Sequence, residues 1–172
     1  PMIRILTSSV DQTRALARAL AELVRPGDLI VLSGDLGAGK TAFTQGFAAG
    51  LGVEEQVVSP TFILARTYQG RLELNHLDVY RIGDLEATRD LALPELLDSG
   101  GVTLIEWGDT IYPMLPADLL EVRLSFGEED DDRTVEIRCI GPRWSSRQKS
   151  VQSAMALACG QQPEADTPQD GA

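Results

Sequence analysis

The chain has 172 residues and a mass of 18.6 kDa, about one domain, and its 43% hydrophobic and 24% charged residues are ordinary for a globular protein. That composition excludes wholesale disorder, a coiled-coil rod and a collagen-like fibre. Fifteen Lys and Arg against 26 Asp and Glu give a net charge of -11, which argues against a surface built to grip nucleic acid through its phosphates.

One histidine, His76, excludes a site with several His ligands, and two cysteines, Cys139 and Cys159, lack metal spacing and imply no disulfide framework. No apolar run is long enough to span a bilayer, and no charged segment followed by an apolar one opens the chain. No membrane partner is expected, and a cytoplasmic location is the default.

In chain order, Ser9 to Val24 reads as an amphipathic helix, with Ser9 and Gln12 as a capping box, Ala15, Leu16, Ala19, Leu20 and Leu23 as the apolar stripe, and Pro26-Gly27 as the stop. Asp28 to Leu32 is an apolar run bounded by turn residues and predicts a buried strand. A glycine-rich loop, 34–39, leads into a helix over Thr41 to Leu51 with Phe43, Phe47, Ala48 and Leu51 on one face. Val57 to Tyr68 and Arg71 to Tyr80 read as strands joined by a Gln69-Gly70 turn. Ile82 to Leu97 predicts one or two short helices around Pro94, and Val102 to Ile105 a second buried strand. Leu119 to Phe126 and Thr134 to Ile140 alternate as strands around the acidic run Glu128 to Asp132, a solvated loop. A domain over 1–142 is therefore expected, followed by a tail, 143–172, that is partly helical or disordered. Removing the tail is expected to leave nucleotide binding intact.

The most informative segment is Gly34-Asp35-Leu36-Gly37-Ala38-Gly39-Lys40-Thr41, which fits G-x-x-x-x-G-K-[ST]. Its glycines let main-chain N–H groups approach phosphate oxygens, and the following helix directs its positive end at them. Lys40 would supply charge to the β- and γ-phosphates and Thr41 a hydroxyl to Mg²⁺. The second need of such a site is an acid at the end of a neighbouring parallel strand; Glu106 after Val102 to Ile105 reads either as that acid or as a strand-end acid facing solvent. His76, Asp78 and Tyr80 alternate along one strand face. They read either as a site in which Asp78 orders a water or as the polar outer face of an edge strand. Thr61, in Ser59-Pro60-Thr61, reads either as a γ-phosphate sensor or as part of a turn.

Together the phosphate loop, Ser59-Pro60-Thr61-Phe62, His76-Leu77-Asp78-Val79-Tyr80-Arg81 and Leu104-Ile105-Glu106-Trp107 resemble the TsaE family, also called YjeE, over about residues 3 to 140. The resemblance implies an α/β fold with a P-loop NTPase-like sheet, largely parallel at the phosphate loop, with antiparallel strands and flanking helices. It implies a weak ATPase, partner-dependent, that serves threonylcarbamoyladenosine modification of the tRNA adenosine beside the anticodon. The partners it implies are the transferase pair TsaD and TsaB, with tRNA reached through that complex. The cofactors are ATP and Mg²⁺, with Asp35, Leu36, Gly37, Ala38, Gly39, Lys40, Thr41, Ala42 and Thr61 on the nucleotide, Thr41 and Glu106 on the metal, and Lys40, Asp78 and Glu106 in catalysis. Ala42 stands where the family commonly has Thr, and the tail after Pro142 finds no family counterpart. A small-molecule kinase remains an alternative, although no arginine-dense lid is evident, as does a nucleotide-dependent protein-binding switch. A GTPase is disfavoured because neither Lys40 nor Lys149 stands in an Asn-Lys-x-Asp segment.

Overall fold

Leu29, Ile30, Val31 and Leu32 are almost wholly buried, and a strand apolar on both sides needs cover on both faces. In the computed structural model, which describes residues 2–35, 37–58, 65–79, 93–106 and 112–160, these residues form β2 (Leu29–Gly34), at the centre of a seven-stranded sheet. The other strands are β1 (Met2–Thr7), β3 (Ala65–Tyr68), β4 (Leu74–Asp78), β5 (Val102–Glu106), β6 (Leu119–Phe126) and β7 (Arg133–Ile140), in the order β1-β7-β6-β2-β5-β4-β3. β6, β2, β5 and β4 run parallel, while β7 pairs antiparallel with β6, β1 with β7, and β3 with β4. The mixed α/β sheet expected from the sequence is the one observed. β1 is an addition. Its inward Ile3 and Ile5 join the core and its outward Met2 and Leu6 stay exposed.

One sheet face carries the larger core, beneath α1 (Val10–Ala21) and α2 (Lys40–Gly50). Ser9 caps α1, its hydroxyl accepting from the Gln12 N–H at 3.1 Å, while the Gln12 side chain reaches back to the Ser8 N–H at 2.7 Å. The capping box thus closes one residue earlier than its usual form. The buried stripe of α1 holds Leu16, Ala17, Leu20 and Ala21, whereas Ala15 faces solvent. The stripe is rotated toward α2 because the two helices pack closely. A Cβ on Gly50 would lie 2.7 Å from Ala21 Cβ and from Arg18 O, and one on Gly46 would collide with Arg14 O.

The connection between β3 and β4 spans 69–73, longer than the predicted two-residue turn. The extra length lets Arg71 reach the helix ends. Its N–H donates to Leu51 O at 2.7 Å, and its guanidinium donates to Ala21 O at 2.6 Å and Val24 O at 3.2 Å. A cation there satisfies terminal carbonyls and suits the helix dipole. On the opposite sheet face a smaller cluster, including Val31, Leu77 and Ile105, lies under α3 (Leu93–Leu97) with Tyr112 and Leu115. The rest of the 82–97 helical expectation lies outside the described residues.

The core extends beyond the expected boundary at 142. α4 (Pro142–Ser145) and α5 (Gln148–Ala158) bring Trp144, Val151 and Met155 into the larger core. Arg147 is buried against Asp28, at the entrance of β2, with guanidinium–carboxylate distances of 2.6 and 2.8 Å, and it stacks 3.9 Å over the Trp144 ring. A charge so deeply buried requires a partner with this bidentate geometry. The disorder expected over 161–172 lies outside the described residues. Trp144→Ala should lower the unfolding free energy by about 3–5 kcal/mol in urea titrations, as for other buried Trp truncations; a loss under about 1 kcal/mol would show that this segment is peripheral.

Candidate functional site

β2 ends at Ser33 and Gly34, where the chain must turn sharply. Gly34 has φ of +149°, and a Cβ there would lie 2.5 Å from Leu124 O, so only glycine fits. Gly39, at φ +106°, stands at the N-cap of α2, and the Phe43 N–H donates to its carbonyl at 2.9 Å to open the helix. Asp35, Gly37, Ala38, Gly39, Lys40, Thr41 and Ala42 therefore follow one another through the loop and first turn, as expected; Leu36 lies outside the described residues. Lys40 is mostly buried and folds back across the loop, its ammonium donating to Gly34 O at 2.6 Å and Asp35 O at 3.0 Å. The Thr41 side chain is exposed.

Glu106 is the last residue of β5, opposite Leu32 of β2 on one side and Asp78 of β4 on the other. It is buried, yet polar groups surround it. The Thr44 hydroxyl, 2.9 Å from Lys40 O, also lies 3.4 Å from Glu106 Oε1, and His76 Nε2 is 3.6 Å from the same oxygen. Thr44 thus ties the carboxylate to the first turn of α2, the turn that carries Thr41. The sequence reading omitted Thr44, although its i+4 spacing from Lys40 places it on the same helix face. His76 is not on a solvent-facing surface: β4 lies inside the sheet, between β5 and β3, and His76 points to the same sheet face as its register partner Leu104, which belongs to the larger core, so that it is almost wholly buried. Tyr80, Thr61 and Trp107 lie outside the described residues, as does Arg81.

Among the described residues no group of three His, Cys, Asp or Glu could hold a metal. The hydroxyl and carboxylate at this edge form a sparse oxygen set. It fits Mg²⁺, which takes one or two protein oxygens and completes its shell with phosphates and water, better than a metal needing an all-protein cage. Burial raises the Cys139 and Cys159 thiols above their ordinary range, which leaves them poor nucleophiles.

The other flank of the loop was not foreseen. Arg133, from β7, donates to Ala38 O at 3.2 Å and Gly37 O at 3.5 Å, and to Asp130 O and Asp132 O at 2.7 Å each. These bonds clip the β6–β7 hairpin to the phosphate loop across a separation of 95 residues that no local pattern reveals.

The model of the family described as threonylcarbamoyl adenosine biosynthesis protein TsaE matches residues 7–135, a stretch that contains both flanks of the loop. The chain belongs to the TsaE family. A Bacillus subtilis protein named tRNA threonylcarbamoyladenosine biosynthesis protein TsaE is 42% identical over 139 residues, covering 80% of this chain and 86% of that protein. A Streptomyces coelicolor protein of the same name is 42% identical over 145 residues, 80% of this chain and 97% of its own length. The crystal structure of Bacillus subtilis YdiB superposes with a TM-score of 0.77 at 35% identity, covering 88% of this chain and 94% of that one. The family match ends within β7, before the helices that carry Trp144 and Arg147.

Gly34→Ala should cost about 1–3 kcal/mol of stability through its strained φ and weaken binding of tripolyphosphate, read by calorimetry on folded protein. Parent-level stability and binding would mean that the loop tolerates a Cβ and is not shaped by the close approach to Leu124.

Proposed function

We propose that the chain is a magnesium-dependent ATPase that supports threonylcarbamoyladenosine formation on tRNA by acting on a TsaD–TsaB transferase pair. The observation that carries the reading is the chain of contacts from Lys40 through Thr44 to Glu106, which holds a buried carboxylate against the helix turn that follows a phosphate loop. Membership of the TsaE family supports the tRNA role.

In this reading the main chain of 35–42 and the Lys40 ammonium hold the phosphates of ATP, with the positive end of α2 directed at them. Thr41 and Glu106 would hold Mg²⁺, which would supply positive charge to offset that of the phosphate oxygens. Asp78, beside Glu106, orients the attacking water. That water's oxygen bonds to the γ-phosphorus as the bond to the bridging oxygen breaks, giving ADP and phosphate. Thr61 is assigned to sensing the γ-phosphate on its motif alone.

Arg133 donates to four loop and hairpin carbonyls, so it serves as a brace and not as a cation for the transferring group. Supply of that cation by a partner can raise the rate about 10³- to 10⁵-fold in related chemistry. Hydrolysis alone is therefore slow, and the TsaD–TsaB pair stimulates it. Among the described residues no helix is long and apolar enough to cross a membrane. Work on tRNA would place the chain in the cytoplasm.

Lys40→Ala should weaken ATP binding roughly 10- to 150-fold, the loss of a hydrogen-bonded charge. Glu106→Ala should instead lower magnesium-dependent turnover roughly 10²- to 10³-fold with a smaller effect on ATP affinity. Calorimetry and a phosphate-release assay separate the two; parent-level behaviour of both variants would remove the site.

Asp78→Ala should abolish the turnover stimulated by TsaD–TsaB while ATP still binds. A parent rate that is fast alone and indifferent to the pair would favour an independent kinase or ATPase. Nucleotide-dependent association with the pair without any turnover would favour a binding switch.

A further inference from the structure

Phe126 is the last residue of β6, on the strand face that turns Val122 and Leu124 into the larger core, yet it is 52% exposed. It lies beyond the cover of the helices, beside the phosphate loop: its ring Cζ is 3.9 Å from the place a Cβ on Gly37 would occupy. The Arg133 guanidinium sits 4.8 Å over the ring centroid. The N–H edge of that guanidinium is taken up by the carbonyls of Gly37, Ala38, Asp130 and Asp132, so what remains for another molecule is flat, delocalised surface. An aromatic ring and a planar cation are thus fixed against the loop.

The flank matters. β2 lies between β5 and β6, so Glu106 and Asp78 approach the loop from one side and Phe126 and Arg133 from the other. Metal and γ-phosphate at the Glu106 flank leave the opposite flank for the uncharged end of a nucleotide. The acidic residues Glu128 to Asp132, next to Phe126, repel phosphate and permit a neutral heteroaromatic ring. A flat aromatic surface with a stacked guanidinium suits a nucleobase, whose π-face stacks on either.

We propose that Phe126 and Arg133 form the base-binding platform of the nucleotide site, with Phe126 as the stacking surface and Arg133 as the brace that sets its distance from the phosphates. The proposal rests on the phosphate-loop reading above. It assigns the hairpin to affinity for the base and assigns it no part in bond cleavage. Stacking of this kind tolerates any base, so the platform separates nucleotides from bare phosphates without selecting adenine.

The test is calorimetric titration of the full-length parent, Phe126→Ala and Phe126→Tyr proteins with magnesium–ATP and, separately, with magnesium–tripolyphosphate. The parent should bind ATP more tightly than tripolyphosphate. Phe126→Ala should lose roughly 5- to 150-fold in ATP affinity, the range for removal of one stacked aromatic, and change tripolyphosphate affinity by less than about twofold. Phe126→Tyr keeps the ring and should bind both ligands as the parent does. Unchanged ATP affinity in Phe126→Ala overturns the platform and points to a protein partner for the exposed ring. Equal losses for both ligands overturn it too, and reduce Phe126 to a support of the loop. A parent that binds neither ligand overturns the phosphate-loop reading, and the platform with it.

Discussion

The parallel pairing of β2 with β5, with Leu32 opposite Glu106, is the constraint on which the remaining geometry depends. Parallel strands share one carboxyl edge, so the chain leaves β2 for the phosphate loop where β5 delivers its acid. The register also fixes the face. His76, Asp78, Leu104 and Glu106 share the side of the sheet covered by α2, and Leu77 and Ile105 share the other. A one-residue slip would turn Glu106 into the smaller apolar cluster, away from Thr44 and the helix start.

This edge is costly to build. Lys40, Thr44, His76 and Glu106 are all buried, and burial of polar groups stabilises a fold only when partners compensate for lost water. The opposite edge carries compensating structure. Asp28, just before β2, is held by Arg147 and more loosely by Arg143 at 3.3 Å, and Trp144 packs beneath the guanidinium. The final helices thereby tie the entrance of the central strand to α1 and the core. The phosphate-loop strand is fixed at its start by an ion pair and at its end by the close approach of Gly34 to Leu124. Rigid ends of this kind hold a loop in one shape before a ligand arrives, which limits the ordering cost of binding.

Much of this was legible because it is local. The glycine spacing of the loop, the continuous apolar runs of β2 and β5 and the capping box of α1 are each contained in a few consecutive residues. What escaped depends on contacts distant in sequence. Trp144 and Arg147 sit in a segment with little periodicity, and only Asp28, 119 residues earlier, gives the buried arginine its reason. β1 is a short alternation whose value appears once β7 lies beside it. The period-two reading holds for His76 and Asp78 in β4, while Tyr80 lies outside the described residues. That pattern could not show that β4 is an inner strand whose His76 face is shared with Leu104 and turned into the larger core, so that an apparent polar outer face is a buried one. Arg133 looks like the end of an acidic loop in the sequence and becomes a brace of the phosphate loop only in the folded chain.

The most direct measurement is a crystal structure of the full chain with a non-hydrolysable ATP analogue and Mn²⁺ in place of Mg²⁺, with the metal located by its anomalous scattering. The account predicts phosphates inside the 34–41 loop and one metal peak between Thr41 and Glu106. A nucleotide bound away from the loop, or a metal with no contact to Glu106, would contradict it.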